Sequence, residues 1–164
     1  MSLGAWTGAN LETQGYCLTA AERRELWLGL RFSTGTCLLL TAGALVAGSP
    51  ELFLGLAAIG AFAAFGPRHP FDYVWNGAVR HAFGAPPVPT SPARRRHAFK
   101  VATLWMLVVA GLFSIGAQTA AVVAGALLLG ACATVTVANL CIPSLLLSLL
   151  DRPRGGVAPA RRPT

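Results

Sequence analysis

Charged side chains are scarce in this sequence. Only 12% of the 164 residues are charged, about half the share of an ordinary soluble domain. Too few charges remain to cover the surface of a water-soluble domain. A hydrophobic content of 54% also excludes a disordered chain, which needs low hydrophobicity and high charge. The composition therefore indicates a small polytopic membrane protein.

Acidic residues and lysine are the scarcest of the charged types. Six Asp and Glu stand against thirteen Lys and Arg, and Lys100 is the only lysine. The net charge of +7 is compatible with binding to nucleic acid, with binding to anionic lipid, or with basic residues that set the topology of a membrane protein. Nearly all basic residues lie outside the apolar blocks, whereas nucleic-acid binders spread them over helix surfaces. We therefore interpret them as topology signals and predict no nucleic-acid partner.

Motifs that carry catalytic or cofactor chemistry are missing. The sequence has no glycine-rich phosphate loop, nucleophile elbow or metalloprotease helix motif. Its three histidines lie in the middle connector, outside the apolar blocks, and a metal site needs more ligands in a fixed geometry. No catalytic residue, cofactor or metal is predicted, and a non-enzymatic role is favoured.

Four apolar blocks predict four transmembrane helices, at about residues 26–47, 51–66, 99–115 and 119–150. About 20 apolar residues cross a hydrocarbon core of ~30 Å. The last block is longer than one span needs, and Pro143 within it predicts a kink or a break with a short helix after it. The expected fold is an all-α membrane domain between two terminal segments, with the divisions 1–21, 22–150 and 151–164.

The short connectors predict the orientation in the membrane. Connectors 48–50 and 116–120 contain no Lys or Arg, while the two termini and the middle connector hold the basic residues outside the blocks. Four spans place both termini on one side, and the positive-inside rule makes that side the cytoplasm. The predicted location is the bacterial inner membrane, with both termini cytoplasmic.

The middle connector contains a predicted interfacial helix at about residues 70–83. Phe71 and Trp75 fall with other apolar residues on one face, and Asp72 and Arg80 fall on the other. A basic triplet follows shortly before the third block, where it would attract anionic lipid. The candidate contacts to lipid or to a partner protein are Phe71, Trp75, Arg80, Arg94, Arg95 and Arg96.

Arg31 is the only charged residue in the first apolar block. A charge at the bilayer centre costs roughly 2.5–3.5 kcal/mol, but near a helix end the side chain can snorkel to the headgroups. The alternative is that Arg31 pairs with an anionic group such as Asp72, or with a ligand.

Cys141 lies near the predicted cytoplasmic end of the last block, two residues after Asn139. If the helix restarts at Pro143, its free amide groups face this thiol, and a helix amino terminus favours the thiolate. Ser144 cannot close a disulfide with it. Cys141, with Asn139 and Arg31 nearby, is a candidate thiol site, and the alternative is a kinked span with a buried thiol.

Several short motifs resemble a family of small bacterial inner-membrane proteins of unassigned function, domain of unknown function 4395. The resemblance covers about residues 22–150, and it rests on Arg31, Gly66-Pro67-Arg68-His69-Pro70, Arg95-Arg96-His97-Ala98-Phe99, Asn139 and Cys141. It implies a membrane protein. That family commonly ends in Cys-x-x-Cys, and Ser144 departs from this pattern, which weighs against a thiol–disulfide role.

Three functional hypotheses follow from these features. The first is a non-enzymatic accessory or scaffold subunit of a larger respiratory or photosynthetic membrane complex, in contact with anionic lipids and other subunits. The second is a thiol-dependent redox or sulfur-handling membrane protein that uses Cys141. The third is a dimeric transporter of a small solute or lipid, which would need a polar cavity for which the sequence offers few residues.

Overall fold

A computed structural model describes residues 3–150, apart from the side chains of residues 3–7, 148 and 150. Every regular element in this range is helical. The helices are α1 (Leu3–Thr13), α2 (Ala20–Glu25), α3 (Trp27–Ala47), α4 (Pro50–Phe65), α5 (Pro70–Val74), α6 (Arg80–Ala82), α7 (Ala93–Ser114), α8 (Gln118–Ala138) and α9 (Ile142–Leu150). A π-helical turn, Trp75–Val79, joins α5 to α6. The predicted basic tail, 151–164, lies outside the described residues.

Three of these helices are long and apolar enough to cross a membrane: α3, α7 and α8, with 21, 22 and 21 residues. Helix α4 has 16 residues, a length of about 24 Å. It counts as a fourth candidate span only together with Pro70–Ala82, from which it is bent by 77°. The described residues therefore form an all-helical protein with three candidate spans, or four with the bent pair.

The core of the bundle is built by α4 and α7, with α8 beside α3 and α7. The rings of Phe53 and Phe113 stack with their centroids 5.8 Å apart. Small residues allow the close approach, since a Cβ at Gly60 would lie 2.6 Å from the Thr103 hydroxyl oxygen. Other buried members of this core are Leu56, Ala57, Met106, Val109, Ala110, Ala121 and Leu128.

The helix predicted to begin at about residue 99 begins at Ala93. Pro92 has an extended backbone immediately before it, and the basic triplet forms the first turn of α7. Arginine is a good helix former, so the helix continues outward past the apolar block. As a result Arg95 turns inward, and only 4% of its surface is exposed.

The prediction of which residues face inward in the helix at residues 70–83 is wrong. Trp75 and Asp72, which the prediction assigned to opposite faces, are exposed by only 1% and 0%. They are three residues apart, so a helix places both on the same face, and here that face packs on α3. Val74 and Phe83, two of the other apolar residues assigned to the face of Trp75, are exposed by 49% and 62%. The π-helical turn Trp75–Val79 shifts the register of the residues that follow Trp75.

The break predicted in the last apolar block is present. Helix α8 ends at Ala138, where Asn139 adopts a left-handed backbone with φ 53°, a conformation that Asn tolerates at a helix end. Helix α9 starts at Ile142, so Pro143 stands in its first turn, where a missing amide hydrogen does no harm. The block 119–150 is thus two helices.

The middle connector is attached to α3 at Gly29. A Cβ there would lie 2.6 Å from Val88 Cγ2 and 2.7 Å from Trp75 Nε1. Asn76 holds Val88 in place, because its side-chain amide donates to the Val88 carbonyl at 3.1 Å and accepts from the Val88 amide at 2.7 Å. The close approach at Gly29 therefore fixes α5 and the π-helical turn against the bundle.

Replacing Gly29 by Ala is expected to destabilise the protein by about 1–3 kcal/mol, because the added methyl group overpacks Trp75 and Val88. The matched control is Gly43→Ala in the same helix, where a Cβ meets nothing within 4 Å. Thermal unfolding of both variants in detergent, followed by tryptophan fluorescence, measures the difference. Equal melting temperatures for the two variants would contradict the close approach.

Candidate functional site

A group of buried polar side chains lies where α3, α5, α7 and α9 meet. We call it the polar cluster, and each member is at most 6% exposed. Buried charges are expensive unless they are paired and hydrogen-bonded, so each member needs a partner. The members are Tyr16, Ser33, His69, Asp72, Arg95, Cys141 and Ser144.

Asp72 carries the negative charge of the cluster. One carboxylate oxygen accepts a hydrogen bond from the Ser33 hydroxyl of α3, and the other accepts from the backbone amide of His69 at 3.1 Å. The second bond is part of a capping box that starts α5. Asp72 therefore both begins the short helix and ties it to α3.

Arg95 carries the positive charge. Its guanidinium donates to the Tyr16 hydroxyl and lies 5.5 Å from the Tyr16 ring and 5.6 Å from the Phe99 ring. It also interacts electrostatically with Asp72 and Cys141. One buried cation is thus shared between the amino-terminal segment, α5 and the start of α9.

Cys141 is the residue immediately before α9. Its carbonyl accepts the first backbone bond of the helix, from the Leu145 amide at 2.9 Å. The Ser144 hydroxyl donates to its sulfur at 3.2 Å. The thiol therefore lies at a helix amino terminus, beside a hydroxyl donor and within the electrostatic reach of Arg95.

A second thiol, that of Cys37, is in contact with His69. The Phe71 amide donates to His69 Nδ1 at 3.2 Å, so this nitrogen carries a lone pair and the ring is neutral. The proton is then on Nε2, which lies 3.5 Å from Cys37 Sγ and donates to it. Cys132 interacts electrostatically with both Cys37 and Cys141, so three of the four thiols lie near this end of the bundle.

The amino-terminal segment closes the polar cluster. The Asn10 side chain donates to the Ala138 carbonyl at 2.9 Å, and the Gln14 side chain donates to the Asn139 carbonyl at 2.6 Å. These bonds satisfy carbonyl groups at the end of α8 that have no partner in their own helix. With Tyr16 on Arg95, they hold the segment against the residues that precede Cys141.

The three residues of the predicted thiol site are only partly brought together. Cys141 is in the polar cluster, and Asn139 ends α8 and accepts from the Gln14 side chain. Arg31 is elsewhere: its guanidinium donates to the Val137 carbonyl at 3.1 Å and lies over the Trp27 ring. Arg31 is therefore not the partner of Asp72, whose described hydrogen bonds come from Ser33 and His69.

Trp75 and Arg95 are not available to lipid or to a partner, because both are buried in this chain. Arg80 is half-buried, and its Nε donates to the Asn76 carbonyl at 2.8 Å. The remaining predicted contacts are half-buried, namely Phe71, Arg94 and Arg96.

Sequence reasoning missed Tyr16, Ser33 and the inward orientation of Asp72. Nothing in the local pattern marks Tyr16 or Ser33, since each is an isolated polar group. Asp72 carried a usable signal: His69-Pro70-x-Asp72 has the spacing of a helix start with an acidic residue at the third position.

The polar cluster brings the Cys141 sulfur together with a hydroxyl donor and a buried cation. Residues 3–150 contain no group of three or more His, Cys, Asp and Glu side chains that could hold a metal ion.

The apolar helices and the buried polar cluster define a multi-pass helical membrane protein. The family model described as domain of unknown function (DUF4395) matches residues 28–152, and the chain belongs to that family. No curated protein and no solved structure matches the chain. The family membership agrees with the resemblance of the short motifs.

Gln14→Ala is expected to loosen the amino-terminal segment, because it removes a buried bond that contributes about 1 kcal/mol. Alkylation of Cys141 by a small maleimide should then become about fivefold faster. The control is Glu12→Ala, which removes an exposed ion pair to Arg23 of 3.6 Å and should leave the rate unchanged. Mass spectrometry of the Cys141 peptide gives both rates, and equal rates would show that this bond does not govern access.

Proposed function

We propose that this chain is a thiol-dependent protein of the bacterial cytoplasmic membrane, with Cys141 as the reactive group. It crosses the membrane four times, with both termini in the cytoplasm. The single observation that carries the thiol role is the position of Cys141 at the start of α9, beside Ser144 and in the field of buried Arg95. The buried Arg95 guanidinium can offset negative charge that develops on the Cys141 sulfur during the reaction.

The proposed reaction is exchange with a sulfur–sulfur bond. The Cys141 thiolate attacks one sulfur of a disulfide or persulfide, a new bond forms from Cys141 to that sulfur, and the other sulfur leaves as a thiolate. The proton of the Cys141 thiol passes to the leaving thiolate, so atoms and electrons balance. Ser144 donates to the attacking sulfur but cannot form a disulfide. The sulfur–sulfur bond formed on Cys141, a mixed disulfide or a persulfide, is therefore broken by a second thiol, which takes the transferred sulfur and releases Cys141 as a thiolate that takes up the proton of that thiol.

Arg95 and Asn139 have supporting roles in this proposal. Arg95 supplies a fixed positive charge that interacts with both Asp72 and Cys141. Asn139 ends α8 in a left-handed conformation and so sets where Cys141 stands. Arg31 lies outside the site and anchors the start of α3 to the end of α8.

Substrate access requires the amino-terminal segment to move. The segment covers Cys141 through Asn10, Gln14 and Tyr16, so the closed arrangement protects the thiol. Opening breaks three hydrogen bonds and separates Leu11 and Tyr16 from their buried apolar cluster, so it is a local unfolding of this segment while the bundle stays folded.

The four-span arrangement depends on α4. Helix α4 is short, but it packs along α7 and contributes Phe53, Leu56 and Ala57 to the core. A 16-residue helix crosses by local thinning of the bilayer. The charge-free connectors 48–50 and 116–120 then face away from the cytoplasm, and residues 84–92 face it.

The accessory-subunit hypothesis stays a prediction, and the dimeric transporter does as well. Thiol chemistry takes precedence because the described residues bring a sulfur, a cation and a hydroxyl donor together.

A labelling experiment tests the four-span arrangement. Gln118→Cys and Thr90→Cys each place a thiol at an exposed connector position. In intact cells, a membrane-impermeant maleimide should label Gln118→Cys and not Thr90→Cys. In broken cells both should react. Labelling of both positions from the same side would overturn the arrangement.

Mixed-disulfide formation tests the role of Cys141. Membrane vesicles holding the full chain are treated with glutathione disulfide, and the peptides of Cys141 and of exposed Cys17 are compared by mass spectrometry. Both cysteines should be modified, Cys141 although it is buried, because Arg95 and Ser144 place a cation and a hydroxyl donor beside its sulfur. Arg95→Gln should slow the Cys141 reaction by about tenfold, equivalent to about 1.4 kcal/mol of activation free energy, because the attacking sulfur loses the neighbouring cation.

Three further variants make this result interpretable. Arg96→Gln removes the neighbouring charge outside the polar cluster and should leave the Cys141 rate unchanged. Arg95→Lys keeps the charge and should restore most of the rate. Ser144→Ala should slow the reaction without unfolding the protein. Modification of Cys17 alone, in wild type and all variants, would refute the thiol role.

A further inference from the structure

Two adjoining cavities lie between α4 and α7, away from the polar cluster. The first has a volume of about 180 Å³ and is lined by Ala64, Phe65, Ala93, Arg96, His97 and Lys100. The second has a volume of about 230 Å³ and shares Ala64, Phe65 and Lys100, and it continues along Ala61, Thr103, Leu104 and Leu107. Together they form one groove along the two helices.

The mouth of this groove is basic. Lys100 lies four residues after Arg96 and three after His97, so all three side chains line the same side of α7. The His97 Nδ1 donates to the Ala93 carbonyl at 2.8 Å, which leaves Nε2 outside that bond. The Lys100 ammonium lies 5.2 Å from the centre of the Phe65 ring. No acidic side chain is among the described residues that line the groove.

The start of α7 adds to the positive potential at the mouth. This 22-residue helix begins at Ala93 after Pro92 and has no side-chain cap. A helix amino terminus carries partial positive charge and attracts anions. The mouth therefore combines two permanent cations, a histidine and a helix end.

The rest of the groove is apolar. The Thr103 hydroxyl donates to the Phe99 carbonyl at 2.8 Å, so it is satisfied within the helix. Leu104 and Leu107 are 64% and 45% exposed and form one wall. The floor stays open because Ala61 and Ala64 are small.

We propose that this groove binds an anionic phospholipid, with its phosphate at Arg96, His97 and Lys100 and one acyl chain along Leu104 and Leu107. A soluble anion would fill only the mouth and leave the apolar length uncovered. A zwitterionic lipid would bring its own cation to a mouth that is already cationic. An anionic phospholipid matches both parts, and it binds independently of the thiol chemistry at Cys141.

Native mass spectrometry of the full chain in detergent tests the proposal. Titration with phosphatidylglycerol and phosphatidylcholine should give at least tenfold tighter binding of the anionic lipid. The variant Arg96→Gln/His97→Gln/Lys100→Gln should remove this preference, since each basic side chain near an anionic group contributes about a fivefold factor. Glycerol 3-phosphate at equal concentration should not displace the lipid.

Matched variants separate this site from general charge and lipid effects. Arg24→Gln/Arg80→Gln/His81→Gln removes two arginines and a histidine elsewhere, a matching number of basic side chains, and should keep the preference. Ala61→Phe fills the groove and should weaken binding, whereas Ala58→Phe places the same ring at an exposed position of α4 and should not. Equal affinity for the two lipids, unchanged binding in the mouth variant, or unchanged binding in Ala61→Phe would each overturn the proposal.

Discussion

Burial of the Arg95 guanidinium is the constraint on which this end of the protein depends. An uncompensated buried cation would be strongly destabilising. The chain therefore brings the Tyr16 hydroxyl, the Asp72 carboxylate and the Cys141 sulfur toward it from three separate segments. Each of these groups in turn fixes a local structure: Tyr16 the amino-terminal segment, Asp72 the start of α5, and Cys141 the start of α9.

This arrangement connects the fold to the proposed chemistry. The bundle of α3, α4, α7 and α8 is held by apolar packing and small residues, which vary little with pH or charge. The polar cluster stands at one end, where charge and a thiol can interact without disturbing that packing. A bound anionic lipid at the α4–α7 groove would add a second electrostatic link to the membrane at the start of α7, the helix that carries Arg95.

Local patterns were sufficient for some elements and misleading for others. The Pro143 break and the membrane character follow from composition and backbone chemistry, which act over a few residues. The amphipathic pattern of residues 70–83 failed because Asp72 shares a helix face with Trp75, three residues later, and because the π-helical turn Trp75–Val79 changes the spacing of the residues after it. The start of α7 was also predicted too far along the chain. The basic triplet belongs to the first turn of the helix, because Arg95 has buried partners there.

The sequence by itself determined the all-helical membrane class, the family motifs and the position of Cys141 before a proline-containing helix start. These properties depend on residues that are neighbours in the chain. Only the tertiary structure decided that Tyr16, Ser33 and Asp72 meet at Arg95 while Arg31 lies apart. Those contacts join residues 39 to 79 positions apart, and a buried charge selects its partners by proximity in space, which local spacing does not encode.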